Sequence, residues 1–133
     1  RDPDNRALVD VTATEEITDR VSAALKAVFS YNHANLDRTE RAVDLALTGA
    51  AERQYLAEFT RAAKRAERGK LVRSSTVRSL GVRTLTGDRA TLLVFLDQQT
   101  LKPSGPPSSA TATLDVTAVR TAEGWRISRI VTL

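Results

Sequence analysis

An α+β fold is predicted for this chain, with three helices followed by a curved four-stranded antiparallel meander. Two observations predict it. Apolar residues recur at three- and four-residue steps as far as Arg68, then at two-residue steps from about Arg73, so the period changes from helical to extended only once. Helices therefore fall within about residues 5–68 and strands within about 73–133, a segregation that marks α+β rather than alternating α/β. The second observation is size. At 133 residues with 41% hydrophobic content, the chain suits one domain, residues 1–133, with one core.

The first helix is expected to start near Asp4 or Asn5, either of which can cap free N–H groups, and to run to about Phe29. Val9, Ala13, Ile17, Val21, Ala24, Leu25 and Val28 form its apolar stripe. Loop-type residues from Ser30 to Asn35 interrupt the period, and Asp37 or Thr39 offers a cap for a shorter helix that reaches Leu47 and is ended by Gly49. A third helix spans about Ala50 to Arg68, with Gly69 placed for a left-handed cap.

The first strand lies within Arg73–Leu85. Leu80 and Val82 share a face and Val77 is out of phase with them, which suggests a bulge near Gly81. Gly87-Asp88 supplies a tight hairpin. The second strand, Arg89 to about Thr100, carries Leu92, Val94 and Leu96 on one face and Leu93 and Phe95 on the other, so both faces are expected to be covered. Lys102 to Ser109 reads as an exposed loop. The third strand, Ala110–Arg120, alternates cleanly, and Ala122-Glu123-Gly124 turns the chain into the last, where Trp125, Ile127, Val131 and Leu133 are expected on one side. Three helices covering one face of such a sheet suggest a cone with a hydrophobic interior, like the cystatin and ketosteroid-isomerase shapes.

Several chemistries are excluded. With no cysteine there is neither a disulfide nor a thiolate, and His33, the single histidine, lacks the converging partners that a metal site needs. No nucleophile elbow and no glycine-rich phosphate loop is present, so no cofactor is implied. The net charge of +4 is spread along the chain and aromatics make up 5% of it, which argues against nucleic-acid binding. No stretch is long and apolar enough for a membrane helix, while a start at Arg1 rather than Met leads us to expect a membrane anchor upstream.

What remains is a short set of candidates. Asp97 is the one catalytic candidate, since a carboxylate aimed into an apolar cone can move protons. Solvation near a strand end is its commoner fate. Tyr31, Tyr55, Phe59, Phe95 and Trp125 are candidates for lining a cavity, although aromatics at such spacings are usually plain core. Arg61, Lys64, Arg65, Arg68 and Lys70 form a basic cluster suited to an anionic surface, which the helix dipole alone also explains.

The chain resembles the extracytoplasmic C-terminal domain of the actinobacterial Mce-associated membrane proteins. The likeness rests on Tyr31-Asn32-His33-Ala34-Asn35-Leu36-Asp37, Leu47-Thr48-Gly49-Ala50, Glu52-Arg53-Gln54-Tyr55, Gly87-Asp88-Arg89-Ala90-Thr91-Leu92-Leu93-Val94 and Gly124-Trp125-Arg126-Ile127-Ser128. It implies a single-pass anchored, non-enzymatic accessory domain outside the membrane that assembles or stabilises an Mce-type lipid-import complex. The partners implied are Mce transporter subunits or other envelope proteins, with lipid and a second copy of the chain as further candidates. Two alternatives stay open: a scaffold domain of a type IV secretion-like apparatus, and a small isomerase or cyclase using Asp97.

Overall fold

The computed structural model describes residues 11–133. The elements are α1 (Val11–Val28), β1 (Tyr31–Asn32), α2 (Leu36–Ala46), α3 (Gly49–Gly69), β2 (Val72–Thr86), β3 (Arg89–Leu101), β4 (Ser108–Thr121) and β5 (Gly124–Thr132). The expected helix start at Asp4 or Asn5 lies outside the described residues.

The sheet has five antiparallel strands in the order β1-β2-β3-β4-β5, one more than expected. The addition is the two-residue β1, whose Tyr31 and Asn32 pair with Arg73 and Val72. His33 N–H extends the ladder by donating to the Leu71 carbonyl at 3.0 Å. Two residues are too few to show a period, so nothing local in the sequence marks them.

Helices α1, α2 and α3 pack on one face of the sheet, and an apolar cluster fills the space between. Ile17, Val21, Leu25 and Val28 of α1 meet Val94, Leu96, Leu114 and Val116 of the central strands, with Val43, Leu47, Trp125 and Ile127 closing the far side. These side chains occupy the interior that the sequence suggested as a cavity. Only one face of β3 is covered. Leu92, Val94 and Leu96 are buried, while Phe95 on the opposite face is 41% exposed.

Three bulges set which residues point inward. The β2–β3 register slips between Val77 and Ser79 and again between Val82 and Thr84, making Arg78 and Arg83 the extra residues on either side of Gly81. Inward positions on β2 therefore run Ser75, Val77, then Leu80, Val82, then Leu85, which resolves the phase conflict at Val77. A third slip on β5, between its pairings to Thr117 and Ala118, inserts Ser128. It turns Ile130 toward the core and places Val131 opposite Asp115 on the outer face, against the expected grouping of Val131 with Trp125 and Ile127.

Helix ends also differ. The N-cap of α2 is Asn35 rather than Asp37 or Thr39, and the Thr39 hydroxyl instead donates to the Ser30 carbonyl at 2.8 Å. Gly49, expected to end a helix, begins α3 with φ +59°. At the other end of α3, Lys70 and not Gly69 adopts the left-handed conformation (φ 51°, ψ 52°). Gly69 serves packing: a Cβ there would meet the Leu71 side chain at 3.2 Å.

Candidate functional site

Where α1 ends, the chain turns through β1 into α2 and leaves a groove of about 460 Å³ facing solvent. One wall is a face of α1 and the residues that follow it: Ala23, Lys26 and Ala27 share that face, and Ser30 lies just past the helix end. Arg38, Thr39 and Ala42 of α2 form the other wall, and Tyr31, Asn32, Val72 and Arg73 of the β1–β2 pair make the base.

A set of hydrogen bonds fixes this junction. Buried Ser75 donates through Oγ to the Phe29 carbonyl at 2.6 Å, and its N–H donates to Ser30 Oγ at 3.0 Å. Gln98 Nε2 donates to Ser75 Oγ at 3.2 Å. Asn32 forms a local turn, its Oδ1 accepting from Ala34 N–H at 2.9 Å and its carbonyl accepting from Asn35 N–H at the same distance. Because the end of α1 is tied to β2 by side chains with little rotamer freedom, the groove is held open before any ligand arrives.

Its electrostatics have one sign. Among the described residues, Lys26, Arg38 and Arg73 are the charged members of the lining, and no carboxylate lines it. The Arg73 guanidinium lies 5.2 Å from the centre of the Tyr31 ring, and its Nε donates to Thr100 Oγ1 at 3.0 Å. Lys26 and Arg38 are exposed at the rim. Cations beside the alanines of the walls and the valine and tyrosine of the base suit a ligand with anionic groups beside an apolar one. Among the described residues no cluster of ligating side chains could hold a metal ion.

The candidates from the sequence are scattered. Asp97 lies on the outer face of the sheet, paired through Oδ2 with Arg78 Nε at 2.9 Å, so it does not face the apolar interior that proton-transfer chemistry requires. Tyr31 stands at the base of the groove. Tyr55 donates to the Val28 carbonyl, meets Phe29 edge-on at 5.7 Å and stacks on Phe59 at 6.0 Å, which fastens α3 to the end of α1. Burial pushes the Tyr55 hydroxyl well above the ordinary tyrosine range; Arg73 opposes the shift, and Glu58 and Tyr31 add to it. Trp125 is core beneath Arg120, and Phe95 faces away from the helices. The five aromatics thus share no cavity. Arg61, Lys64, Arg65, Arg68 and Lys70 are all exposed, and the first four recur at helical spacing on the side of α3 turned from Phe59 and Ala66.

Lys26, Arg38, Arg73 and Ser75 were not singled out by sequence reasoning. They come from separate segments, and their only local signal is a cation at the end of one helix, the start of another and the start of a strand.

No protein-family model matches the chain, and no curated protein sequence is significantly similar to it. Solved structures do share its fold. An IcmL-like type IV secretion system protein from Legionella pneumophila superposes with a TM-score of 0.77 at 6% identity, covering 90% of this chain and 91% of that one. CagV, a VirB8 homologue of the type IV secretion system of Helicobacter pylori, gives 0.70 at 10% identity over 87% and 95%. The intermembrane-space region of the chloroplast protein ARC6 gives 0.60 at 18% identity over 94% and 97%. At identities this low the likenesses show a shared fold and nothing more. They nevertheless overturn the resemblance to Mce-associated proteins. The structures that share the fold come chiefly from secretion systems, and nothing found supports Mce subunits as partners, lipid import or an actinobacterial setting. The α+β architecture of three helices on an antiparallel sheet is what these proteins and this chain have in common.

Proposed function

We propose that this chain is an extracytoplasmic scaffold domain that helps assemble a type IV secretion-like apparatus in the bacterial envelope. The observation that carries the reading is fold likeness over nine-tenths of both chains to an IcmL-like secretion protein, together with the likeness to CagV. Related structures are described as periplasmic pieces of TraM and DotI, which supports a position outside the cytoplasmic membrane with an anchor elsewhere in the protein. Among the described residues no helix is long and apolar enough to cross a membrane, so the anchor would have to lie outside them. The groove supports docking over catalysis: it gathers cations, amides and hydroxyls and no nucleophile–base pair.

The test is deletion of the gene in its source bacterium, with transfer of a conjugative plasmid or export of a secreted protein as the readout. The expected result is loss of transfer that the full-length gene restores, together with cleavage of the domain by protease added to spheroplasts. Undiminished transfer, or a domain protected from the protease, would sink the proposal.

A further inference from the structure

We propose that the groove between α1, α2 and the β1–β2 pair receives an acidic segment of a partner protein, with an apolar side chain on the base and carboxylates against Lys26, Arg38 and Arg73. This deepens the docking function above and rests on it for the partner's setting in an envelope assembly.

Three observations select that occupant. The first is charge: among the described residues three cations and no carboxylate line the groove, on a chain whose acidic residues are otherwise nearly as numerous as its basic ones. The attraction is strengthened where Arg73 is half-buried beneath the rim, because water screens it less there. The second is shape. A bilayer is flat and touches convex surfaces, whereas Arg73 lies at the base of a concavity and is reached by a narrow chain. The third concerns Tyr31. Its ring carries the Arg73 guanidinium at 5.2 Å, so a base of single-stranded nucleic acid would have to displace that contact in order to stack. A peptide needs no such displacement, and the side-chain amide of Asn35 lies in the same lining for its backbone to meet.

The cations at the rim are free to recognise a ligand. Lys26 and Arg38 are exposed and form no ion pair with a described residue. Arg73, by contrast, is half committed through Nε to Thr100, which orients its fork.

The experiment measures binding of two fluorescein-labelled peptides to the 133-residue chain by anisotropy. One alternates Glu and Leu, and the other has Gln in place of each Glu. The acidic peptide should bind and the Gln peptide should bind at least about tenfold more weakly. Lys26→Glu and Arg38→Glu should each weaken the acidic peptide by about tenfold while leaving the thermal unfolding of these exposed positions unchanged. The reversals Arg61→Glu and Arg65→Glu on α3 should have no such effect. Equal binding of both peptides overturns the proposal, as does weakening by the α3 reversals in place of those in the groove. Vesicles containing phosphatidylglycerol or a single-stranded oligonucleotide that bind at the groove more tightly than the peptide would overturn it in favour of lipid or nucleic acid. Because binding is read on the isolated chain, its failure is separable from failure of the secretion phenotype.

Discussion

Replacing Tyr55 by Phe should cost the fold about 1–2 kcal/mol, and the loss should vanish at high pH. The hydroxyl donates to the Val28 carbonyl at the C-terminal end of α1, where Val28 is fully buried and water cannot replace the donor. A net hydrogen bond is worth about 1 kcal/mol, and a stranded buried acceptor raises the cost toward 2 kcal/mol. Phe keeps the edge contact with Phe29 and the stack on Phe59, so the substitution isolates the hydrogen bond. Unfolding entropy of about 2.1 cal/mol/K per residue makes 1 kcal/mol equivalent to about 4 °C in a chain of this length, so the melting temperature should fall by about 4–8 °C. Burial raises the hydroxyl's pKa in the folded state above its unfolded value near 10. The stabilisation is therefore complete below pH about 10, and above it the unfolded chain ionises first. The wild type should lose up to about 1.4 kcal/mol per pH unit there in excess of the Phe variant. The assay is urea unfolding of both proteins at neutral pH and at several values above 10. A difference below about 0.5 kcal/mol at neutral pH, or one that stays constant as the pH rises, would refute the reasoning.

Leu47→Ala removes a fully buried side chain from between α2, α3 and β5 and should cost about 2–5 kcal/mol in denaturant unfolding. Asp97→Asn breaks an ion pair whose side chains are 63% and 40% exposed, and calorimetry should show a change within about 1 kcal/mol. Gly49→Ala should lower the melting temperature by the equivalent of about 1 kcal/mol, a purely conformational cost because no atom lies within 4 Å of the added Cβ. Lys70→Gly should raise it by about 0.5–1 kcal/mol, since a residue with φ 51° is released from the left-handed penalty.

The sequence shows its regular parts because burial imposes a period on them. Ile17, Val21, Leu25 and Val28 spell out α1, and Leu92, Val94 and Leu96 spell out β3, since each set faces one continuous core. The bulges obscure the rest. Val77 betrays a slip by falling out of phase, but Ile130 and Val131 are both apolar, so the insertion of Ser128 cannot be read from hydropathy. Gly69 misleads for another reason: glycine serves both positive φ and close approach, and here Leu71 uses the missing Cβ. The groove is illegible for want of contiguity, because Lys26, Arg38 and Arg73 meet only after β1 pairs with β2. Asp97 was attractive because it shares a face with Leu93 and Phe95, and that face turned out to be the one the helices leave bare.

The paired bulges of β2 bear on whether one copy of the chain can add a strand to another. Among the described residues, strand β1 covers β2 only at Val72 and Arg73, and beyond them the Ser75 N–H turns to Ser30 Oγ rather than to another strand. An even, apolar strand at the margin of a sheet is an invitation for a neighbouring molecule to add a strand. The extra residues Arg78 and Arg83 break the even spacing of the strand twice, and their guanidinium groups reach across the outer face of the sheet to Asp97 on β3 and Asp115 on β4. An incoming strand would have to match two interruptions in the spacing of β2. The two bulges therefore make this strand a poor template for a strand from another copy.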